Sequence, residues 1–232
     1  MERELISRGK ALEKPEHPCV YIMGGAKADD SLEISRYVLG NKIADYVLTG
    51  GVVAQVFLNS KGIDLGKPNM ELLEKKSLTK FIPGIKELMA QYPEKIVAPN
   101  DVAVSDNNNR VELDISQLPT EYPILDIGEK TIHKYAKLIE TAKSIVLSGP
   151  LGVYEKAEFA TGTRQTFKAV ADNAQAFSLA GGGHTISALQ QFGLSEKISY
   201  VSTAGGALIE FLMGKKLPGV AALENAIQTK KA

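Results

Sequence analysis

Five runs of β-branched and apolar residues in this chain stop at glycine, and the first is followed at once by a lysine. CVYIM runs into Gly24-Gly25-Ala26-Lys27, YVLT into Gly50-Gly51, IVLS into Gly149, FSLA into Gly181-Gly182-Gly183, and YVST into Ala204-Gly205-Gly206. The chemistry such junctions support is anion binding. In a parallel sheet, ligands sit just beyond the carboxyl ends of the strands, and a missing Cβ lets backbone N–H groups approach a phosphate. Helix N-termini add positive partial charge there. One glycine pair is usually a turn; five at one sheet edge point to a nucleotide-sized anion, with Lys27 where a charged phosphoryl group would pass. The two common phosphate loops are excluded, since neither G-x-x-x-x-G-K-[ST] nor a G-x-G-x-x-G after the first strand occurs.

The elements that must position these residues alternate along the chain. Residues 2 to 14 read as a charged helix ended by Pro15 and Pro18, and Cys19 to Met23 as the first strand. Leu32, Ile34, Val38 and Leu39 keep a helical period, followed by a strand over Tyr46 to Thr49 and a helix over Val53 to Asn59. Met70 to Tyr92 is expected to be helical with a break near Pro83-Gly84, and Ile96 to Ala98 to be a strand. Between Val102 and Leu125 two strand-like runs flank Asp106-Asn107-Asn108-Asn109, which predicts a β-hairpin insertion with a loose tip. Alternation then resumes: helix Glu129 to Ala142, strand Ser144 to Leu147, helix Thr163 to Asn173, strand Ala176 to Ala180, helix Thr185 to Phe192, strand Ile198 to Val201 and helix Ala207 to Met213. Strands joined by crossover helices run parallel, so the expected fold is α/β: a doubly wound, mainly parallel six-stranded sheet of Rossmann-like form.

Bulk composition narrows the function classes. The 232 residues are 44% hydrophobic, and 27 basic residues balance 27 acidic ones, so no global field favours nucleic acid or an anionic membrane. Any anion must be held locally. The lone Cys19 lies in an apolar run, which reads as a small buried residue in a reducing, cytoplasmic setting, and no stretch has the length and apolarity of a membrane span. His17 and His133 lack partners at metal-ligand spacing, and Asp29-Asp30 reads as capping the helix behind it.

Several strings together resemble the phosphoglycerate kinase family. They are Gly24-Gly25-Ala26-Lys27, Leu48-Thr49-Gly50-Gly51, Asp126-Ile127-Gly128-Glu129-Lys130-Thr131, Ser148-Gly149-Pro150-Leu151-Gly152-Val153-Tyr154-Glu155, Gly181-Gly182-Gly183, Val201-Ser202-Thr203 through Gly206, and Leu217-Pro218-Gly219-Val220. Their order and approximate spacing are those of the family's C-terminal, nucleotide-binding half. The resemblance implies one domain over residues 1–232, with 1–14 as an interdomain-type helix and 224–232 as a C-terminal tail; the half that binds 3-phosphoglycerate is expected to be absent. It implies ATP or ADP with Mg2+ as ligands, and phosphoryl transfer between 1,3-bisphosphoglycerate and ADP once that half is supplied.

By matching position, Lys27, Gly182, Gly183 and Gly205 would surround the migrating phosphoryl group. Gly25, Gly149, Gly181 and Thr185 would also belong to the nucleotide site, Gly149 with Pro150 by shaping its turn rather than by touching ligand, and Ser202 and Thr203 could add hydroxyl donors, although N-capping also accounts for those two. Glu155 resembles the carboxylate that accepts from the ribose hydroxyls, while Gly50, Gly51, Leu125 and Gly152 match the walls of the adenine slot. Departures from the family pattern are archaeal-like: His184 stands where most members carry the Asp that ligates magnesium, and Ser31, Ser148 and Ala204 replace Lys, Asn and Gly. Imidazole is a poor magnesium ligand, so His184 would either donate to a phosphate or cap its helix, and the metal ligand is left open. Apolar Leu5, Ile6 and Ile227 are expected at an exposed interdomain face through which the chain could self-associate. A partner-binding module that keeps the fold without catalysis is the alternative.

Overall fold

The computed structural model describes residues 14–215. The expected opening helix, the Leu217-Pro218-Gly219-Val220 string, the C-terminal tail and the apolar face at Leu5, Ile6 and Ile227 lie outside them.

The chain runs β1 (Cys19–Met23), α1 (Ala28–Gly40), β2 (Tyr46–Thr49), α2 (Gly51–Ser60), α3 (Lys67–Lys75), α4 (Ile82–Gln91) and β3 (Ile96–Val97). Three strands without intervening α-helices follow: β4 (Asp101–Asp106), β5 (Asn109–Asp114) and β6 (Ile124–Ile127). Then come α5 (Glu129–Thr141), β7 (Ser144–Ser148), α6 (Thr161–Asp172), β8 (Phe177–Gly181), α7 (Gly183–Gln191), β9 (Tyr200–Ser202) and α8 (Gly206–Leu212). Six strands pair in the order β3-β2-β1-β7-β8-β9, every pairing parallel. Strand order therefore steps outward in both directions from the β1/β7 pair, which opens a crevice beyond their carboxyl ends.

All five residues of β1 are buried, and their alternation divides the core. Cys19, Tyr21 and Met23 pack with Val38 of α1, Phe57 of α2, Ile85 of α4 and Leu208 of α8. Val20 and Ile22 face the other way, toward Tyr135 of α5, Phe167 of α6 and Leu189 of α7. Helices thus cover both faces of the sheet, and among the described residues none is long and apolar enough to cross a membrane.

Two expectations change. The helix break falls between Lys75 and Thr79, whereas Pro83 sits in the first turn of α4, where its missing N–H would have no intrahelical acceptor anyway. The hairpin has a tight rather than a loose tip: Asp106 pairs with Asn109, and Asn107 and Asn108 both take positive φ (49° and 67°), which asparagine tolerates. It is also not a lone hairpin, because β6 pairs antiparallel with β4 to complete a separate sheet ordered β5-β4-β6.

Candidate functional site

At the crevice the loops that follow β1, β2 and β7 cross one another at backbone contact. Gly24 N–H donates to Ser148 O (2.7 Å), Gly25 N–H to Pro150 O (2.7 Å), Gly50 N–H to Met23 O (3.0 Å) and Gly51 N–H to Leu151 O (2.8 Å). A Cβ on Gly24 would collide with the carbonyls of Gly149 and Pro150, and one on Gly50 with Leu151. These glycines are required by loop-on-loop packing, and their amides are spent on protein carbonyls. The strand-end glycines after β1 and β2 therefore serve loop packing, and open amides are left to the start of α7. Gly149 N–H donates to Thr185 Oγ1 (2.8 Å), and the amides of Leu151 and Gly152 donate to Thr163 Oγ1 (3.0 and 3.1 Å).

On this knot sits a cleft with two lobes. The first, about 210 Å³, is walled by Val52, Ala54, Gln55 and Leu58 of α2, by Val102 and Ile124 of the small sheet, and by Gly51, Leu125, Gly152 and Val153, with exposed Glu155 also at its edge. Its wall is anchored from behind. Asp126, its side chain fully buried, accepts from Arg110 Nη1 (2.7 Å), Gly162 N–H (2.7 Å) and Ile127 N–H (2.9 Å), which ties β5 and β6 to the start of α6. Burial pushes its pKa up to about 6 against the pull of those donors. A Cβ at Gly152 or Gly162 would strike this carboxylate.

The second lobe, about 250 Å³, holds Lys27, Gly149, Gly182, Gly183, Thr185, Gly205 and Gly206. Its floor is the start of α7: Gly182 turns the chain with φ 94°, no side chain caps the helix, and the N–H groups of Gly183, His184 and Thr185 in the first turn have no intrahelical acceptor. Those amides and the helix dipole point to an anion. Lys27 stands beside them, its side chain 78% exposed and its Nζ 3.5 Å from Asp30 Oδ2, an ion pair that contributes little in water. Gly25, Ala26, Pro150 and His184 border both lobes, so the cleft is continuous.

The structure brings together Gly25, Lys27, Gly51, Leu125, Gly149, Gly152, Glu155, Gly182, Gly183, His184, Thr185 and Gly205 of the expected site. It leaves four others outside the cleft walls. Gly50 packs under Leu151, Gly181 is buried where a Cβ would meet Leu208, Ser202 is buried with its Oγ accepting from Ala204 N–H (3.3 Å), and Thr203 is exposed. Gly182 is the N-cap of α7 and His184 lies inside its first turn, so His184 does not occupy the capping position. Sequence reasoning missed Gln55 and Asp126; their signal was a polar side chain inside an apolar run, GVVAQVFL and ILDI.

Magnesium, which prefers a shell of oxygens, does not find one here. Among the described residues no three His, Cys, Asp or Glu side chains gather, and the one carboxylate in the second lobe, Asp30, is paired with Lys27. The residues present do not fit a protein-ligated metal.

The family model for phosphoglycerate kinase matches residues 1–215. Phosphoglycerate kinase of Methanothermus fervidus is 45% identical over 226 residues, covering 97% of this chain and 55% of its own length. The crystal structure of phosphoglycerate kinase from Pyrococcus horikoshii superposes with TM-score 0.91 at 40% identity over 98% of this chain and 57% of that one. The Coxiella burnetii phosphoglycerate kinase structure gives TM-score 0.87 at 34% identity, over 97% and 57%. The chain thus spans about half the length of the relatives it matches.

Proposed function

The chain belongs to the phosphoglycerate kinase family, and on that premise we propose that residues 1–232 act as its nucleotide-binding domain, with ATP or ADP laid along the two-lobed cleft. The observation that carries this reading is the continuity of an apolar lobe with an amide-lined lobe at the β1/β7 switch point. The adenine enters the first lobe between α2 and the loop through Gly152, where flat aliphatic surface and absent side chains leave room for a ring. Glu155, at the edge, accepts from the ribose hydroxyls. The phosphates meet the first turn of α7, and Lys27, a mobile point charge, follows the transferring group.

The proposed reaction is transfer of a phosphoryl group between ADP and the acyl phosphate of 1,3-bisphosphoglycerate. Such a transfer depends on positioning and charge neutralisation in a site closed to water. Here Lys27 is largely solvated, and a cation in water contributes far less than one in a dry site. Closure and the binding of 3-phosphoglycerate are therefore assigned to the part of the relatives that this chain does not span. Magnesium, in this reading, is carried by the nucleotide rather than by protein side chains. The cytoplasm is the proposed compartment, where the unpaired, buried Cys19 keeps its reduced form.

Calorimetric titration with ADP tests the proposal, with saturable binding expected. Absence of heat and of a thermal shift at millimolar nucleotide overturns it. A coupled assay with 3-phosphoglycerate and Mg-ATP should give little turnover from the chain alone, and turnover near that of an intact kinase would refute the division of labour.

A further inference from the structure

The backbone of Ile124, in the wall of the apolar lobe, is bracketed by two side-chain amides. Asn69 Oδ1 accepts from Ile124 N–H (2.8 Å), and Gln55 Nε2 donates to Ile124 O (3.1 Å). Their fates differ. Asn69 also spends its Nδ2 on Leu65 O and Tyr122 O, so both ends of its amide are engaged. Gln55, 3% exposed on a helix that is buried from Val53 to Leu58, uses one end only: among the described residues its Oε1 meets no donor. The amide cannot simply be turned over, because the carbonyl of Ile124 demands the NH2 end. An unpaired acceptor this deep is costly, and glutamine is an expensive choice inside so apolar a helix.

Gln55 borders the lobe assigned to the base. Oε1 is out of contact with solvent, and a turn about the soft terminal torsion would bring it toward the lobe. Resting on the adenine-nucleotide reading above, we infer that Gln55 reads the edge of the base, its Oε1 accepting a hydrogen bond from the amino group at C6 of adenine. The remaining walls that touch the ring, Ala54, Leu58 and Val102, are apolar and cannot tell one purine from another. A 6-oxo purine would set a carbonyl oxygen against Oε1, and a purine with hydrogen at C6 would leave it unpaired. Both substitutions carry the cost of an unmade hydrogen bond in a site shielded from water, whereas Asn69, already saturated, has nothing left to offer a ligand.

The test is calorimetric titration of the full 232-residue chain with ADP, with purine riboside 5′-diphosphate and with IDP, repeated on Gln55→Met. The wild-type chain should bind ADP on the order of tenfold tighter than either analogue, the range expected for one buried neutral hydrogen bond. In Gln55→Met the ADP advantage over purine riboside diphosphate should vanish, since methionine matches the volume of glutamine without an acceptor. Equal wild-type affinities for ADP and purine riboside diphosphate overturn the assignment of Gln55 while leaving the nucleotide reading intact, and so does a preference that survives in Gln55→Met. Failure of all three nucleotides to bind overturns both. Should Gln55→Met not fold, the wild-type comparison decides alone.

Discussion

The two lobes of one cleft are built on opposite plans. The first lobe, proposed for the base, is walled by side chains, and its backbone is locked: the amides of Gly25, Gly51, Leu151 and Gly152 are all engaged, and Arg110 and Asp126 brace the wall from behind. The second lobe, proposed for the phosphates, is floored by backbone whose first-turn amides have no partner within their helix, and its one lysine stands in solvent. A wall made once and held rigid suits a ligand part that is the same in ATP and ADP. Open amides and a mobile cation suit the part that changes during reaction. In the proposed pose, preorganisation is thus concentrated where the ligand would be constant.

The contrast can be broken by glycine substitution. Gly152→Ala, in the wall of the first lobe, should destabilise the chain by about 3 kcal/mol or more, because its Cβ would meet the buried Asp126 carboxylate and the Phe159 carbonyl, neither of which can swing away. Gly183→Ala, with nothing within 4 Å of its Cβ, should leave stability within about 0.5 kcal/mol. Urea denaturation of the two variants checks this, and equal losses would erase the distinction between the lobes.

A pH signature should also belong to the base lobe. With its folded pKa raised to about 6 from 3.8, Asp126 holds a proton in the folded state that the unfolded chain has released between those values. More protons bound when folded means that its contribution to stability falls as pH rises through the window, by at most about 3 kcal/mol. Exposed Asp114, lowered to about 2 chiefly by the Lys130 ammonium, works in the opposite sense: its contribution is present above 3.8 and is lost as pH falls toward 2. Subtracting the stability profile of Asp126→Asn from that of the wild type between pH 4 and 6 isolates the first effect, and a flat difference would remove it.

The smallest effect is expected in the open lobe. Lys27→Ala should change stability by less than about 0.5 kcal/mol, since its exposed pairing with Asp30 is weak. ADP affinity should fall only about threefold, because one solvated cation beside a phosphate contributes modestly. A loss of a hundredfold by calorimetry would show Lys27 to be a rigid binding group rather than a mobile one.

The layered sheet was legible in the sequence because five of its six strands are short apolar runs that lead into glycine, and a parallel strand buried on both faces needs such a run. The third strand of the small sheet was not. Ile124–Ile127 is four residues long, and what makes it a strand is pairing with Val102, Ala103 and Val104 some twenty residues earlier. Glycine misled in a related way. A sequence shows that a Cβ is missing but not what approaches the gap, and at Gly24 and Gly50 the neighbour is another loop rather than a phosphate. Gln55 gave a visible signal, a lone amide in an apolar helix, yet its meaning depends on Ile124, 69 residues away.

The bond from Gly149 N–H to Thr185 Oγ1 joins the turn after β7 to the first turn of α7. Pro150, next along that turn, borders both lobes, so the tether runs from the floor of one into the side of the other. Loss of that one hydrogen bond would therefore loosen both lobes together rather than one alone.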